Sequence, residues 1–188
     1  MRKKYTTLFL DRDGVINYKI DGYVQFFSEF RFIEDVPESI ARLSDYFERI
    51  IIVTNQQGIG KKIMTENQLF TLHDKMISEI NKIGGRISKI YYCAHLESVN
   101  CDCRKPQSGM LLKAKEDFPD IDFKKSILIG DSDTDIIAAE NVNIKSEFKT
   151  SIDWPWGNHT NGLTWRWIIS PEIVAKTCLL YTSDAADE

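Results

Sequence analysis

Short apolar segments alternate along the chain with segments of helical periodicity, and this alternation restricts the possible folds more than any other feature. Buried strands are predicted at residues 6–10, 50–53, 90–92 and 127–129. Helices are predicted at residues 37–47, 65–83, 108–118 and 133–141. Strands that alternate with helices are joined by right-handed crossovers and pair in parallel. We therefore predict an α/β fold, a doubly wound parallel sheet with helices on both faces.

The segment 65–83 has the clearest helical pattern. Thr65 and Gln68 form a capping-box motif, in which each residue satisfies a backbone N–H group of the other. The apolar residues of this segment, spaced as on one face of a helix, are Leu69, Leu72, Met76 and Ile80. Gly84 follows this segment and is suited to ending a helix. This helix is therefore expected to have defined ends.

Polar side chains follow the predicted strands at the point where each strand ends. They are Asp11, Asp13, Thr54, Asn55 and Asp131. Ligands of open α/β sheets bind beyond the carboxyl ends of the strands. We therefore expect these side chains to converge at one edge of the sheet and to form the functional site.

Two carboxylates, Asp11 and Asp13, stand two residues apart directly after the first strand. One carboxylate can attack phosphorus while the other donates a proton to the leaving oxygen and later activates water. The pattern alone also fits an acidic turn between a strand and a helix. Its chemical interpretation depends on the residues that accompany it.

The accompanying residues are of the types that hold a phosphoryl group. Thr54 and Asn55 offer a hydroxyl and an amide, and Lys105 offers a positive charge. Asp131 and Asp135 offer the oxygen ligands that Mg²⁺ prefers. Taken singly, these residues also fit turn chemistry, a surface lysine and a helix N-cap.

A second cluster has the composition of a metal site. Cys93, His95, Cys101 and Cys103 supply three thiolates and one imidazole, which match a closed tetrahedral Zn²⁺ site. Four protein ligands leave no open position, so this zinc would be structural and would hold the adjacent residues in place. The alternative is a group of buried thiols without a metal.

The ordered motifs resemble the haloacid dehalogenase (HAD) superfamily of phosphohydrolases over about residues 5–145. They are Asp11-x-Asp13-Gly14, Thr54-Asn55, Lys105-Pro106 and Gly130-Asp131-x-x-x-Asp135. The segments DRDG, TNQQGI and CRKP are similar to subfamily IIIA, in the branch of heptose bisphosphate and histidinol-phosphate phosphatases. This resemblance implies a Rossmannoid three-layer sandwich with a small zinc loop at 93–103 and no large cap domain.

The resemblance also implies the catalytic roles. Asp11 would be the nucleophile that forms an aspartyl phosphate, and Asp13 would be the general acid and then the base. Thr54 would bind the phosphate, and Lys105 would stabilise the nucleophile and the transferring phosphoryl group. A phosphoryl transition state gains chiefly from positioned cations and donors, which these residues provide.

The resemblance further implies a catalytic Mg²⁺ ion among the carboxylates of Asp11 and Asp131 and the backbone carbonyl of Asp13. Asp135 would support Lys105 or the metal. Asn55 is expected to contact the substrate. Arg104 is expected to pair with a second phosphate or another anionic group of the substrate, with a surface ion pair as the alternative.

From this resemblance we expect Mg²⁺-dependent hydrolysis of a phosphomonoester in a small metabolite, namely removal of the 7-phosphate of D-glycero-D-manno-heptose 1,7-bisphosphate. The alternatives are histidinol phosphate, the 3′-phosphate of a nucleic-acid end and a non-catalytic zinc-stabilised binding module. The net charge of -4 argues against a nucleic-acid partner. No apolar stretch approaches the roughly 20 residues needed to span a bilayer, so we expect a cytoplasmic protein without a membrane partner. A monomer is expected, and an oligomer stays open.

The 188 residues fit one ordinary domain, which we place at residues 1–150. All four tryptophans lie between residues 154 and 167. The segment 151–177 is therefore a separate region, either packed on the domain or forming an interaction patch. The last residues, 178–188, continue no pattern and are expected to be a disordered or non-native tail.

Overall fold

The computed structural model describes residues 5–148, and five parallel strands form the sheet at their centre. The strands are β1 (Thr7–Leu10), β2 (Arg49–Asn55), β3 (Lys89–Cys93), β4 (Ser126–Gly130) and β5 (Lys145–Phe148). Their order is β3-β2-β1-β4-β5. The predicted parallel sheet is confirmed. The edge strand β5 was not predicted, because its sequence lacks an apolar run.

Four helices connect the strands: α1 (Val36–Tyr46), α2 (Glu66–Lys82), α3 (Gly109–Asp117) and α4 (Asp133–Glu140). Short 3-10 helices lie at Glu97–Val99 and Phe123–Lys125. The predicted capping box is present, since Gln68 N donates to Thr65 Oγ1 at 3.2 Å and Thr65 N donates to Gln68 Oε1 at 2.8 Å. Gly84 follows the helix with a φ of 88°.

Successive residues of each strand pack on opposite faces of the sheet. In β1, Leu8 and Leu10 join the core formed with α1 and α2, whereas Phe9 joins the core formed with α3 and α4. All three are at most 1% exposed, and burial of each side chain contributes on the order of 2 kcal/mol. The three-layer sandwich expected from the sequence is therefore confirmed.

Loops cover the carboxyl edge of the sheet. Between β1 and α1, residues 11–35 contain turns and the isolated bridges of Asn17 with Asp13 and Phe32. The turn at residues 56–65 connects β2 to α2. Neither connection has the size of a large cap domain. The predicted segments 151–177 and 178–188 lie outside the described residues.

None of the helices within residues 5–148 combines the length and apolar content needed to cross a membrane.

Candidate active site

Asp11 lies directly after β1, where its carboxylate is almost fully buried. Its Oδ1 atom is 2.9 Å from Lys105 Nζ and accepts a 2.7 Å hydrogen bond from the backbone N–H of Arg12. Burial raises the pKa of Asp11 to about 6, against the opposing effect of Lys105 and with a further rise from neighbouring carboxylates. The side chain is thus held at the sheet edge by a cation and a backbone donor.

Lys105 is a buried ammonium with a partner for each of its donors. Its Nζ atom lies 2.8 Å from the carbonyl of Val53, 2.9 Å from Asp11 Oδ1 and 2.5 Å from Asp135 Oδ1. Burial alone lowers the pKa of Lys105, but the charges of Asp11 and Asp135 outweigh it and raise the pKa above its ordinary value. Lys105 is therefore a fixed positive charge between the two carboxylates.

Asp135 connects Lys105 to the start of α4. Its second oxygen, Oδ2, accepts hydrogen bonds from Ser132 Oγ at 2.6 Å and from Ser132 N at 3.1 Å. The side chain is fully buried and closes the capping box of the helix. This geometry favours the supporting role predicted for Asp135, because both oxygens have partners that fix its orientation.

Asp13 lies at the centre of a hydrogen-bond network. Arg12 Nη2 is 2.8 Å from both carboxylate oxygens, while Asn17 Nδ2 and Gln56 Nε2 donate at 2.9 and 2.8 Å. Burial alone raises the pKa of Asp13, but the charge and hydrogen bonds of Arg12 and the two amide donors outweigh it and lower the pKa. Asp13 is therefore a carboxylate in this arrangement.

Gln56 links the acidic turn to the predicted phosphate ligand Thr54. Its Nε2 atom donates to Thr54 Oγ1 at 2.9 Å as well as to Asp13. Arg12, Asn17 and Gln56 were not predicted as site residues. All three lie within or next to the two motifs that supply Asp13 and Thr54, and this proximity was the available signal.

Asn55 and Arg104 were predicted to contact the substrate, and they differ in how their donors are used. Asn55 Nδ2 donates to the carbonyl of Lys105 and Oδ1 accepts from its N–H, both at 3.0 Å, so the amide positions the Lys105 backbone. Arg104 Nη1 is buried and has no hydrogen-bond partner within residues 5–148. This donor is therefore unpaired among the described residues. Substrate contact stays a prediction for both residues.

The carboxylates of Asp11, Asp131 and Asp135 provide oxygen atoms within 4.8 Å of one another. Asp131 Oδ1 is buried without a hydrogen-bond partner among the described residues, and Oδ2 is 2.7 Å from Lys19 Nζ. Asp131 packs directly against the backbone of Gly14, which has a φ of 86°. Only glycine leaves room for this contact, because a Cβ atom at Gly14 would lie 2.0 Å from Asp131 Oδ2. Hard oxygen donors and an unpartnered carboxylate oxygen fit Mg²⁺.

The four predicted zinc ligands lie together. Cys103 Sγ is 3.1 Å from Cys93 Sγ, 3.4 Å from Cys101 Sγ and 3.2 Å from His95 Nδ1. Cys93 Sγ is also 3.5 Å from Cys101 Sγ and 3.7 Å from His95 Nδ1. The edge of a tetrahedral zinc–thiolate site is about 3.7 Å, so the arrangement fits a zinc ion.

Comparisons with known proteins extend over the same elements. The model of the family described as polynucleotide kinase 3 phosphatase matches residues 9–156. The D-glycero-alpha-D-manno-heptose-1,7-bisphosphate 7-phosphatase of Campylobacter jejuni is 45% identical over 142 residues, which are 75% of this chain and 80% of the relative. The D-glycero-beta-D-manno-heptose-1,7-bisphosphate 7-phosphatase of Vibrio cholerae is 39% identical over 144 residues, covering 73% and 76%.

A solved structure agrees with these relatives. The crystal structure of D,D-heptose 1,7-bisphosphate phosphatase from B. bronchiseptica, complexed with magnesium and phosphate, has a TM-score of 0.71. Its sequence identity is 30%, and the match covers 75% of this chain and 78% of that chain. The family match begins before Asp11 and ends after Asp135. It therefore includes every residue of the two candidate metal sites.

Proposed function

This chain is a phosphatase of the HAD superfamily and belongs to the family whose model matches residues 9–156, and from this we propose that it hydrolyses the 7-phosphate of D-glycero-D-manno-heptose 1,7-bisphosphate. The observation that carries the reaction type is the buried Asp11 carboxylate, 2.9 Å from the Lys105 ammonium and two residues from Asp13. The names of relatives that are 39% and 45% identical support the substrate.

The reaction begins with attack of an Asp11 carboxylate oxygen on phosphorus. The bond from phosphorus to the sugar oxygen breaks, and Asp13 in its acid form transfers a proton to that oxygen. Asp13 then removes a proton from water, which attacks the aspartyl phosphate and releases inorganic phosphate and free Asp11. Because the resting Asp13 is a carboxylate, it must take up a proton before the first step.

Lys105 and Thr54 stabilise the negative charge on the phosphoryl oxygens, the first by its positive charge and the second by its hydroxyl group. Lys105 holds Asp11 through its ammonium, and Thr54 presents its hydroxyl at the end of β2. Asp11 and Asp131, with the backbone carbonyl of Asp13, would hold Mg²⁺. When bound, Mg²⁺ would supply positive charge that stabilises the phosphoryl group.

We also propose that Cys93, His95, Cys101 and Cys103 bind a structural Zn²⁺ ion. The four donor atoms lie within 4.8 Å of one another, which supports this proposal, and four protein ligands would leave no position for a substrate. Cys103 is two residues before Lys105. The zinc would therefore fix the segment that carries Arg104 and Lys105.

The alternatives are histidinol phosphate, a nucleic-acid 3′-phosphate and a non-catalytic zinc-stabilised binding module. The nucleic-acid 3′-phosphate is favoured by the description of the matching family and opposed by the net charge of -4. The non-catalytic binding module is opposed by the hydrogen bonds and ion pairs that position Asp11, Asp13 and Lys105. The predicted monomeric state, cytoplasmic location and domain boundary at residue 150 stay predictions.

The experiment is phosphate release with Mg²⁺ from both anomers of the heptose bisphosphate, histidinol phosphate, fructose 1,6-bisphosphate and a 3′-phosphorylated oligonucleotide. We expect preference for the heptose bisphosphate and loss of about a thousandfold or more in Asp11→Asn. Asp21→Asn, in an exposed loop, is the matched control and should keep full activity. Preference for another compound would overturn the substrate, and an active Asp11→Asn would overturn the nucleophile.

A further inference from the structure

Lys19 lies outside the catalytic motifs but pairs with one of their carboxylates. We call the four neighbouring carboxylates of Asp11, Asp13, Asp131 and Asp135 the acidic cluster. The Nζ atom of Lys19 lies 2.7 Å from Asp131 Oδ2, and its Cε atom lies 3.0 Å from where a Cβ on Gly14 would stand. The lysine stem therefore passes over the turn that follows Asp13. The Lys19 side chain is 55% exposed, whereas that of Asp131 is 15% exposed. The ammonium can leave the carboxylate without disturbing the core.

The other cations at this cluster cannot reorient in this way. All three donors of the Lys105 ammonium are used by Val53, Asp11 and Asp135. The Arg12 guanidinium is 1% exposed and is bound to Asp13. Among the side chains of residues 5–148 that pair with the cluster carboxylates, Lys19 is thus the flexible cation.

Binding of a divalent cation to Asp131 would weaken the ion pair between Asp131 and Lys19. Its unpartnered Oδ1 atom already offers a ligand position. An ammonium on the other oxygen of the same carboxylate is repelled by a metal there, with an energy that the partly exposed setting moderates. A phosphate ligand beside Asp11 brings negative charge within reach of the flexible lysine stem.

We propose that Lys19 is a phosphate-binding residue that pairs with Asp131 in the metal-free protein and moves to the phosphoryl oxygens when Mg²⁺ and phosphate bind. This inference rests on the proposed function. It assigns Lys19 two opposite effects: it weakens Mg²⁺ binding to the free protein, and it strengthens phosphate binding to the Mg²⁺-loaded protein. An ion pair with Asp131 and no phosphate contact would give only the first effect, so the loss of phosphate binding is the effect that distinguishes the two roles.

The test is isothermal titration calorimetry of the full chain, first with Mg²⁺ alone and then with inorganic phosphate at saturating Mg²⁺. We expect Lys19→Met to bind Mg²⁺ about fivefold more tightly and phosphate about tenfold more weakly. Lys19→Arg keeps the charge and should restore phosphate binding to within about threefold of the wild type. Lys82→Met is the matched control, because Lys82 is exposed and pairs with Glu79 on α2.

The two levels of the hypothesis fail in different ways. Equal Mg²⁺ and phosphate affinities in the wild type and Lys19→Met would overturn the role of Lys19 and leave the proposed function intact. Tighter Mg²⁺ binding with unchanged phosphate binding would also overturn it, because the lysine would then act on the metal alone. A wild-type protein that binds no Mg²⁺ would overturn the metal-dependent mechanism together with this inference.

Discussion

His73 accepts a hydrogen bond from Arg12, with 3.2 Å between His73 Nε2 and Arg12 Nη1. Arginine has only donors, so His73 Nε2 is the unprotonated ring nitrogen and the ring is neutral. The remaining guanidinium donors, Nε and Nη2, bind Asp13. A histidine of α2 therefore anchors the cation that keeps the pKa of Asp13 low.

The first prediction concerns stability against pH. Burial and the charge of Arg12 lower the pKa of His73 from 6.5 to about 3. Below pH 6.5, His73 binds a proton in the unfolded chain but stays neutral in the folded chain. The free energy of unfolding therefore falls as the pH falls from 6.5 towards 3. His73→Gln keeps a hydrogen-bond acceptor but does not titrate.

Urea unfolding of the wild type and His73→Gln at pH 7.5 and pH 5 measures this effect. We expect the wild type to lose about 2 kcal/mol relative to the variant between the two pH values. Other groups titrate alike in both proteins and cancel in the comparison. If the wild type and His73→Gln differed in free energy of unfolding by the same amount at both pH values, His73 would take up its proton in the folded state as readily as in the unfolded state.

The second prediction concerns the turn after Asp13. Gly14 and Gly22 both have positive φ, 86° and 107°, but a Cβ on Gly14 meets Asp131 at 2.0 Å and one on Gly22 meets nothing within 4 Å. Both alanine variants carry backbone strain of about 1–2 kcal/mol. Only Gly14→Ala should also weaken Mg²⁺ binding, by about tenfold or more.

Calorimetric Mg²⁺ titration of Gly14→Ala and Gly22→Ala separates strain from crowding. Comparable Mg²⁺ affinities in the two variants would show that Asp131 does not need the space above Gly14.

The third prediction concerns zinc. Cys101→Ser removes one of four ligands, and we expect zinc content to fall from about one ion per chain to a small fraction of that. The melting temperature should fall as well, because metal binding is coupled to the order of the loop. Cys178→Ser, which changes the one cysteine outside the cluster, is the control and should retain zinc.

Elemental analysis of the purified proteins, together with thermal unfolding, checks this prediction. A wild-type protein without zinc, or a Cys101→Ser protein that retains it fully, would remove the zinc assignment.

The fourth prediction concerns the buried partner of Lys105. Asp135→Asn removes a fully buried negative charge that is 2.5 Å from Lys105 Nζ. Breaking a buried ion pair leaves an uncompensated charge, so we expect destabilisation by about 3 kcal/mol. Phosphate release should also slow, because Lys105 would lose part of its orientation. Asp133→Asn, an exposed change in the same helical turn, should alter neither property.

Denaturant unfolding and phosphate release of Asp135→Asn and Asp133→Asn test this point. Similar stabilities of the two variants would show that Lys105 does not depend on Asp135.

The sequence by itself determined the strands β1 to β4, the four helices and the order of the catalytic motifs. These features depend on interactions that are local in the chain. The capping box of Thr65 and Gln68 spans one helical turn, and buried strands such as β1 require runs of apolar residues. The convergence of Asp11, Thr54 and Asp131 followed because the carboxyl ends of parallel strands meet at one edge.

Only the tertiary structure decided which side chains partner these motif residues. His73 is 61 positions from Arg12, and Asn55 is 50 positions from the Lys105 backbone that it binds. The edge strand β5 pairs with β4 through backbone groups rather than an apolar run. Such contacts depend on how packed elements face each other, because a buried polar group must find a partner wherever packing places one.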